Sequence, residues 1–226
     1  MTQPKPGARQ RRRAERLIAA ISAEVGAKPL PSVSKIAREK RDPFRILVST
    51  LISLRTKDEV TELASRRLFE LADTPETLGK LDVRKVERAI YPAGFYKTKA
   101  RTLREISCRL VGEYGGRVPD SVDDLLAFKG VGRKTATLVV SLGYGIPAIC
   151  VDTHVHRISN RLGLVETRNP AETEFALMDL LPRRYWIRYN ELLVTFGQQV
   201  CKPLSPHCSS CPVRRSCPRR GVERHR

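Results

Sequence analysis

The sequence predicts an all-α protein, and two observations lead to that prediction. Apolar residues recur at the three- and four-residue spacing of helices along most of the 226-residue chain. In addition, apolar and polar residues nowhere alternate over a sustained run bounded by hairpin turns, as they would in strands. The short run AICV at 148–151 could be extended, but it is too brief to predict a sheet. We therefore expect about ten helices joined by short connections.

The charge balance indicates a polyanionic partner. The chain has 42 Lys and Arg residues against 24 Asp and Glu residues, which gives a formal net charge of +18. Such an excess neutralises phosphates and releases counterions, although on charge alone an aid to solubility is the alternative. No run approaches the roughly 18 apolar residues of a spanning helix, and the first residues lack the apolar core of a signal peptide. We expect a soluble intracellular protein without membrane contact.

The first segment of the chain is strongly basic. MTQPKPGARQRRRAER carries six basic residues and one acid, and its Pro, Gly and Gln residues leave it without a core face. Residues 1–11 are therefore predicted to form a disordered basic arm, followed by a helix from about Arg12 to Val25. The arm either binds phosphates or is a solvated tail with no partner.

Three further helices can be placed from their ends and their apolar faces. Asp42 is a predicted N-cap with Pro43 at the first helical position, and PFRILVSTLISL is apolar nearly all round, as a helix buried in a bundle would be. A second helix is predicted to begin near Lys57. The third, KTKARTLREISCRLVGEY, ends at two glycines. Its basic residues, Lys99 among them, are expected to face solvent or a ligand.

The stretch FKGVGRKTA at 128–136 is predicted to be the link of a helix-hairpin-helix, between the helices SVDDLLAF and RKTATLVVSLGYG. Gly130 and Gly132 permit a positive φ and a close approach of the backbone to a ligand. The unpaired N–H groups at the start of the second helix suit a phosphate. Together with Lys129 and Arg133, they predict binding to the DNA backbone; a glycine that only ends a helix is the alternative.

Four cysteines crowd into CKPLSPHCSSCPVRRSC with the spacing C-x6-C-x2-C-x5-C. In an intracellular chain such a group indicates a metal centre sooner than disulfides, and both zinc and a [4Fe–4S] cluster are chemically possible. The predicted ligands are Cys201, Cys208, Cys211 and Cys217. Cys108 and Cys150 fall in apolar or helical stretches and are expected to be buried thiols rather than ligands.

These motifs carry a resemblance to a known family. GVGRKTA resembles the hairpin of the endonuclease III family of DNA glycosylases, VDTHVHRISNRLGL resembles that family's next motif, and the cysteine spacing resembles its C-terminal cluster loop. The resemblance covers about residues 30–217 and implies a [4Fe–4S] cluster. It also implies a two-lobed helix-hairpin-helix DNA glycosylase fold, with a helical barrel over 36–146, a cluster domain over 12–35 plus 147–226, and the DNA cleft between them.

The resemblance also implies two catalytic residues, Lys134 and Asp152. Lys134 would attack C1′ of the damaged nucleotide, expel the base and form a Schiff base, whose β-elimination cuts the strand 3′ to the lesion. Its place in the first turn of a helix, near Arg133 and partly buried, is expected to lower the pKa of the amine. Asp152 would stabilise positive charge on the sugar. The alternatives are a phosphate contact for Lys134 and a helix N-cap for Asp152.

Other positions match or depart from the family pattern. Arg55 stands where well-studied bacterial members have a Gln that fills the gap left by the flipped nucleotide, so the preference for the opposite base is expected to differ. Phe95 stands where a gap-filling Leu is common; a core position is the alternative, with Tyr96 as the other wedge. Arg214 and Arg215 lie between the last two cysteines, where the loop can present them to phosphates.

The function implied is that of a bifunctional DNA glycosylase and AP lyase of base excision repair that removes oxidised pyrimidines. Its expected partner is duplex DNA with damaged bases, and the expected form is a monomer in a prokaryotic cytoplasm, associated with the nucleoid. A non-enzymatic helix-hairpin-helix DNA-binding module is one alternative. A monofunctional mismatch glycosylase is another, but related enzymes of that type lack a lysine at the position of Lys134 and activate water instead.

Overall fold

The computed structural model describes residues 6–226, and within that range the regular elements are helices, with no strand. The all-α prediction is confirmed. Contacts between Cα atoms divide the chain into two compact units, one of which runs from Pro31 to Ala148 while the other combines residues up to Leu30 with Ile149–Arg226. No helix in the described part of the chain is long and apolar enough to cross a membrane.

The contiguous unit holds eight α-helices and a π-helical turn. They are α2 (Ser32–Glu39), α3 (Pro43–Ser53), α4 (Asp58–Leu71), α5 (Pro75–Lys80), α6 (Val83–Ile90), α7 (Tyr96–Tyr114), α8 (Val122–Leu126) and α9 (Arg133–Leu138), which continues as the π-helix Val139–Tyr144. The discontinuous unit holds α1 (Ala8–Val25), α10 (Thr153–Arg161), α11 (Pro170–Leu180), a 3₁₀ turn (Arg183–Tyr185) and α12 (Trp186–Gln199). Residues 200–226 follow without a further helix.

The first helix starts earlier than its sequence predicted. Residues 1–5 of the expected disordered arm lie outside the described residues, but α1 already begins at Ala8 rather than near Arg12. The side chain of Gln10 accepts a hydrogen bond from the N–H of Gly7 at 2.9 Å, which caps the first turn. Arg13 then ties α1 to its own unit, because its guanidinium donates to the carbonyls of Leu162 at 2.7 Å and Ser216 at 2.9 Å.

Helix α3 forms the centre of the contiguous unit, as its apolar sequence predicted. The Asp42 carboxylate caps it by accepting from the N–H groups of Phe44 at 2.9 Å and Arg45 at 3.3 Å, and Pro43 fills the first helical position. Ile46, Leu47 and Ile52 on this helix are fully buried. Because α3 packs against α2, α4, α7 and α9, it sets the positions of the segments that carry the candidate site.

The first boundary between the units falls at Pro31 rather than at residue 36. Helix α2 begins at Ser32 and packs as one piece against α3 and α4, so its first residues cannot belong to the other unit. The hydroxyl of Ser32 donates to Asp58 at 2.9 Å, which ties the start of α2 to the start of α4.

The discontinuous unit has its own core, built from α1, α10, α11 and α12. Ile21 of α1 and Leu193 of α12 are fully buried in it. The hydroxyls of Ser159 and Tyr189 are hydrogen-bonded at 3.0 Å inside this core, so a buried polar pair joins α10 to α12. The packing fixes the end of α12, from which the cysteine loop departs at Cys201.

Candidate functional site

The link between α8 and α9 contains two buried residues that anchor it, and the residues beside them are exposed. Phe128 and Val131 are buried, and Phe128 packs against Tyr114 at 5.4 Å between ring centroids and beneath the guanidinium of Arg109 at 4.7 Å. Phe128 therefore fastens the link to α7. The four residues predicted to meet the DNA backbone are all exposed: Lys129, Gly130, Gly132 and Arg133.

The two glycines of the link meet different requirements. Gly130 has φ = +85°, and a Cβ on it would lie 2.9 Å from Cγ2 of Thr102, so both the backbone and the available space demand glycine. Gly132 has an extended backbone, and a Cβ there would meet nothing within 4 Å. A side chain at position 132 would thus stand on the outer surface of the link, where a phosphate backbone would have to approach.

Lys134 is the second residue of α9 and is half-buried. Thr135, Ala136 and Thr137 behind it are buried, so the start of the helix is held firmly in the contiguous unit. The first N–H groups of a helix have no acceptor within the helix, and they carry the positive end of its dipole. Lys134 is therefore placed at a helix start that attracts anions, as its sequence position predicted.

Asp152 belongs to the discontinuous unit and is the N-cap of α10. Its Oδ1 accepts hydrogen bonds from the N–H groups of His154 and Val155, each at 2.9 Å, and the residue is only 9% exposed. The capping role that the sequence left open for Asp152 is thus present. Both bonds use one oxygen and fix the direction of the carboxylate at the positive end of a helix.

The four cysteines of the C-terminal loop line one cavity with apolar walls. Burial raises the pKa of the thiols of Cys208, Cys211 and Cys217, so a thiolate at these positions requires a positive partner. The apolar residues that line this cavity are Leu162, Phe196, Val200, Pro206, Val213 and Val222. Among the described residues no three His, Cys, Asp or Glu side chains gather as closely as a single metal ion requires.

Two arginines of α10 hold the cysteine loop, and sequence reasoning gave neither a role. Arg161 is buried and donates to the carbonyls of Lys202 at 2.7 Å and Pro203 at 2.6 Å, while its Nη1 lies 3.7 Å from the sulfur of Cys201. Arg157, one turn earlier, donates to the carbonyl of Cys201 at 2.9 Å. The signal that could have found them is the pair of arginines four residues apart in RISNR, which begins two residues after the VDTH motif.

The two arginines of the cysteine motif lie at the surface, and the other two cysteines of the chain lie outside the motif. Arg214 and Arg215 are exposed, as predicted, and Arg214 also donates to the carbonyl of Ser209 at 2.7 Å. Cys150 is buried, but the expectation that Cys108 is buried is wrong, because that residue is exposed. It faces α5 and donates to the carbonyl of Gly79 over 3.6 Å.

Arg55 and Phe95, the two predicted gap-filling residues, lie together in the contiguous unit. The guanidinium carbon of Arg55 is 5.5 Å from the centroid of the Phe95 ring, a cation–π contact. Phe95 is 63% exposed, so the alternative that it is a core residue is wrong. Tyr96 is half-buried and packs edge-on against Tyr91. Both Arg55 and Phe95 have a left-handed backbone, with φ of +53° and +57°.

Comparison with known proteins matches most of the chain. The family described as the HhH-GPD superfamily of base excision DNA repair proteins matches residues 48–183. Endonuclease III of Thermotoga maritima is 51% identical over 179 residues, which are 79% of this chain and 84% of that protein. Endonuclease III of Bacillus subtilis is 36% identical over 184 residues, which are 81% of this chain and 84% of that protein.

Solved structures match over a similar extent. A trapped endonuclease III–DNA covalent intermediate superimposes with a TM-score of 0.83 at 32% identity, over 92% of this chain and 96% of that one. A thermostable thymine-DNA glycosylase gives a TM-score of 0.79 at 24% identity, over 92% of this chain and 96% of that one, which shows a shared fold.

Proposed function

The chain belongs to the endonuclease III family within the HhH-GPD superfamily of base excision DNA repair proteins, and from that premise we propose that Lys134 is its nucleophile and Asp152 its catalytic carboxylate. It is a bifunctional DNA glycosylase and AP lyase. The observation that carries the proposal is the position of Lys134 in the first turn of α9, directly after the exposed link of a helix-hairpin-helix.

The chemistry of Lys134 follows from the amine. Its lone pair attacks C1′ of the damaged nucleotide, and the bond from C1′ to the base breaks so that the base leaves with the bonding electrons and takes up a proton. The C1′–O4′ bond then breaks and O4′ takes up a proton, so the sugar ring opens and the amine, having lost its two protons, is left as a Schiff base with C1′. Loss of a proton from C2′ expels the 3′ phosphate, which cuts the strand on that side. Water finally releases Lys134 by hydrolysis.

Asp152 supports these steps electrostatically. As the base departs, positive charge develops on the sugar, and a carboxylate of fixed direction stabilises it without having to reorganise. The two hydrogen bonds to Oδ1 supply that fixed direction. Asp152→Asn would keep an acceptor for the cap but remove the charge. We therefore expect it to lower the rate of base release far more than the affinity for DNA.

The proposed contacts to DNA lie on the hairpin link and the cysteine loop. Lys129 and Arg133, with the backbone of Gly130 and Gly132, would contact phosphates on one strand, because all four are exposed and the start of α9 favours anions. Arg214 and Arg215 would add phosphate contacts from the other unit. The proposed domains are the helical barrel and the cluster domain of the family.

We propose that the four cysteines hold a [4Fe–4S] cluster. The donor set is four thiols that line one cavity, and their spacing in the sequence is that of the family's cluster loop. The bound cluster would supply four fixed attachment points and thus fold the loop that presents Arg214 and Arg215. Arg161 and Arg157 would add positive charge beside the ligand Cys201.

A cysteine substitution tests the cofactor apart from activity. Cys208→Ser is expected to lose the brown colour, the visible absorption and the iron content of the purified protein, and to lower its soluble yield. Cys108→Ser is the matched control, because that thiol lies outside the cavity. If Cys208→Ser retained the absorption spectrum and the iron of the parent, the cluster assignment would be overturned.

The substrate and the setting are also proposals. We expect oxidised or ring-saturated pyrimidines in duplex DNA, with the target nucleotide turned out of the stack before the chemistry begins. The relatives from Thermotoga maritima and Bacillus subtilis support a prokaryotic cytoplasm with the nucleoid as the place of action. A monomer is the proposed form.

Trapping of the Schiff base tests the function directly. The protein is incubated with a duplex that carries one thymine glycol, and borohydride is added to reduce the intermediate to a stable protein–DNA bond. The parent should give a covalent band, and Lys134→Ala should give none. Lys129→Ala is the matched control, because it should weaken binding yet still form the band at saturating protein.

The other outcomes separate the alternatives. A band of equal strength with Lys134→Ala would refute the assignment of the nucleophile. Base release by the parent without any band would indicate a monofunctional glycosylase. Binding without base release would indicate a non-enzymatic DNA-binding module.

A further inference from the structure

Lys99 of α7 does not face solvent or a ligand, as its sequence suggested, but is buried in the contiguous unit with 9% of its surface exposed. Its ammonium donates to the carbonyls of Ile52 and Leu54, each at 2.6 Å, and to the hydroxyl of Thr56 at 3.0 Å. All three acceptors are neutral. The three N–H bonds of the ammonium are thus used on one short segment at the end of α3.

That segment carries Arg55. Ile52 belongs to the last turn of α3 and Leu54 is its C-cap residue, so the ammonium satisfies carbonyls that the helix leaves without an internal partner. Arg55 lies between two residues that bind Lys99, and its backbone is left-handed at φ = +53°. A residue with a branched or bulky side chain rarely adopts this conformation unless its surroundings enforce it. Lys99 supplies that enforcement from both sides.

The same contacts reach Phe95. The N–H of Gly94 donates to the hydroxyl of Thr56 at 3.1 Å, and a Cβ on Gly94 would lie 2.5 Å from the carbonyl oxygen of Arg55. The turn before α7 is therefore pressed against the turn after α3. Phe95 follows with φ = +57°, and its carbonyl accepts the backbone N–H of Lys99 at 3.0 Å. That bond is the ordinary backbone bond of the first turn of α7, so the side chain of Lys99 reaches the turn before α7 through the hydroxyl of Thr56, which contacts both Lys99 and Gly94.

We propose that Lys99 is a positioning residue that locks Arg55 and Phe95 together as one preformed wedge, which enters the gap left by the extruded nucleotide. The proposal rests on the proposed function, because that function gives the two exposed side chains a gap to fill. A wedge that is ordered before it meets DNA loses little conformational freedom when it inserts. The cation–π contact then presents a guanidinium and an aromatic face side by side, one for hydrogen bonds to a base and one for stacking.

Lys99→Met tests this, since methionine keeps most of the length and the apolar stem but removes the ammonium. Its matched control is Lys97→Met, two residues earlier on the same helix, where the side chain is exposed. The rate constant kcat/KM is measured on a duplex with one thymine glycol and on a single-stranded oligonucleotide with one abasic site. Only the duplex requires a nucleotide to be extruded and its gap to be filled.

Lys99→Met is expected to lose about 10- to 100-fold in kcat/KM on the duplex and less than about 3-fold on the single strand, in line with the cost of a misplaced group near the chemistry. Lys97→Met should change neither. Equal losses of Lys99→Met on both substrates would mean that the lysine only supports the fold, and no loss on the duplex would mean that it has no part in the wedge. Either result overturns the proposal.

A fluorescence measurement separates this proposal from the proposed function. In a Lys134→Ala background, 2-aminopurine next to the lesion should brighten on binding, because the wedge unstacks its neighbour. Adding Lys99→Met should remove most of that increase at saturating protein, and an undiminished increase would overturn the proposal. A parent that forms no covalent band but shows the Lys99-dependent fluorescence would refute the lyase assignment alone.

Two further variants decide the matter if Lys99→Met does not fold. Thr56→Val removes the hydroxyl that joins the two turns, while both carbonyls remain bound to Lys99. Gly94→Ala places a methyl group against the carbonyl of Arg55 and should force the turns apart. Both should lower duplex activity selectively and weaken the fluorescence increase; activity of both variants equal to that of the parent would overturn the proposal.

Discussion

Two turns of this protein use the same left-handed backbone and obtain it in different ways. In the hairpin link, Gly130 adopts φ = +85° without a steric penalty, since it has no side chain. In the wedge, Arg55 and Phe95 adopt φ of +53° and +57° with large side chains, and Lys99 and Thr56 hold them there. The left-handed backbone of Gly130 is thus encoded by the residue itself, whereas that of Arg55 is held by a lysine more than forty residues away in the chain.

The largest effect is expected from Gly130→Val. The substituent would strain a positive φ and press on Thr102, so both the hairpin and its contact with α7 would shift. We expect a loss of about 3 kcal/mol in stability and at least about 100-fold in duplex cleavage. Thermal unfolding and kcat/KM measure the two effects. Gly132→Ala is the control and should keep the parent's stability, because its Cβ meets open space; equal destabilisation of both variants would contradict the comparison.

Phe95→Ala should act on function and leave the fold intact. The ring is largely exposed, so its removal creates no cavity and should change the melting temperature little. Without a bulky apolar side chain to enter the gap, duplex cleavage should fall about 10-fold, the equivalent of about 1.4 kcal/mol. Phe95→Leu should restore most of the rate. A loss of stability larger than the loss of activity would show that the ring supports the fold instead.

Arg55→Gly should move stability and activity in opposite directions. Glycine adopts φ = +53° without strain, so the free energy of unfolding should rise by up to about 1 kcal/mol, while duplex cleavage falls because the guanidinium is gone. Arg66→Gly, in the middle of α4, is the control and should lower stability by about 1 kcal/mol. Thermal melts of the two variants decide the sign. A lower melting temperature for Arg55→Gly would show that its backbone is not under strain.

The last expected effect is a dependence of stability on pH. Burial lowers the pKa of Lys99 to about 8 from its ordinary 10.5. Between these values the folded protein has released a proton that the unfolded chain still holds, so stability should rise with pH, by at most about 1.4 kcal/mol per unit. Melting temperatures at pH 7.5 and 9.5 measure the effect. Lys99→Met should lack this contribution and Lys97→Met should keep it. Because stability rises as Lys99 loses its proton, the charged ammonium lowers the free energy of unfolding near neutral pH. We attribute the presence of Lys99 to its positioning of the two turns.

The elements that depend on local residues were predictable from the sequence. The all-α fold, the Asp42 cap and the start of α9 each follow from a few adjacent residues. The cysteine spacing likewise predicted that four thiols share one site, and all four line the same cavity. In each case the chemistry of a residue and that of its near neighbours agree, so the sequence pattern is enough.

The features that sequence reasoning missed depend on contacts between distant residues. Lys99 reads as one of several cations on an amphipathic helix, and nothing in its neighbours indicates that carbonyls from the end of α3 receive it. Arg161 reads as a surface cation for the same reason, yet it holds the cysteine loop. The exposure of Cys108 likewise depends on how α7 packs against its neighbours, whereas the early start of α1 is local, because Gln10 caps its exposed first turn. Periodicity gives the buried side of a helix but not the partner.

The tie between Arg13 and the carbonyl of Ser216 has a consequence for the order in which the protein can fold during synthesis. The unit from Pro31 to Ala148 is continuous and can fold as soon as it leaves the ribosome. Helix α1 is synthesised before that unit but cannot pack until later. The core that covers Ile21 is completed only by residues from Ile149 onward. Until those residues are made, the apolar side of α1 has no core to pack against, so the first residues of the chain are among the last to reach their final packing.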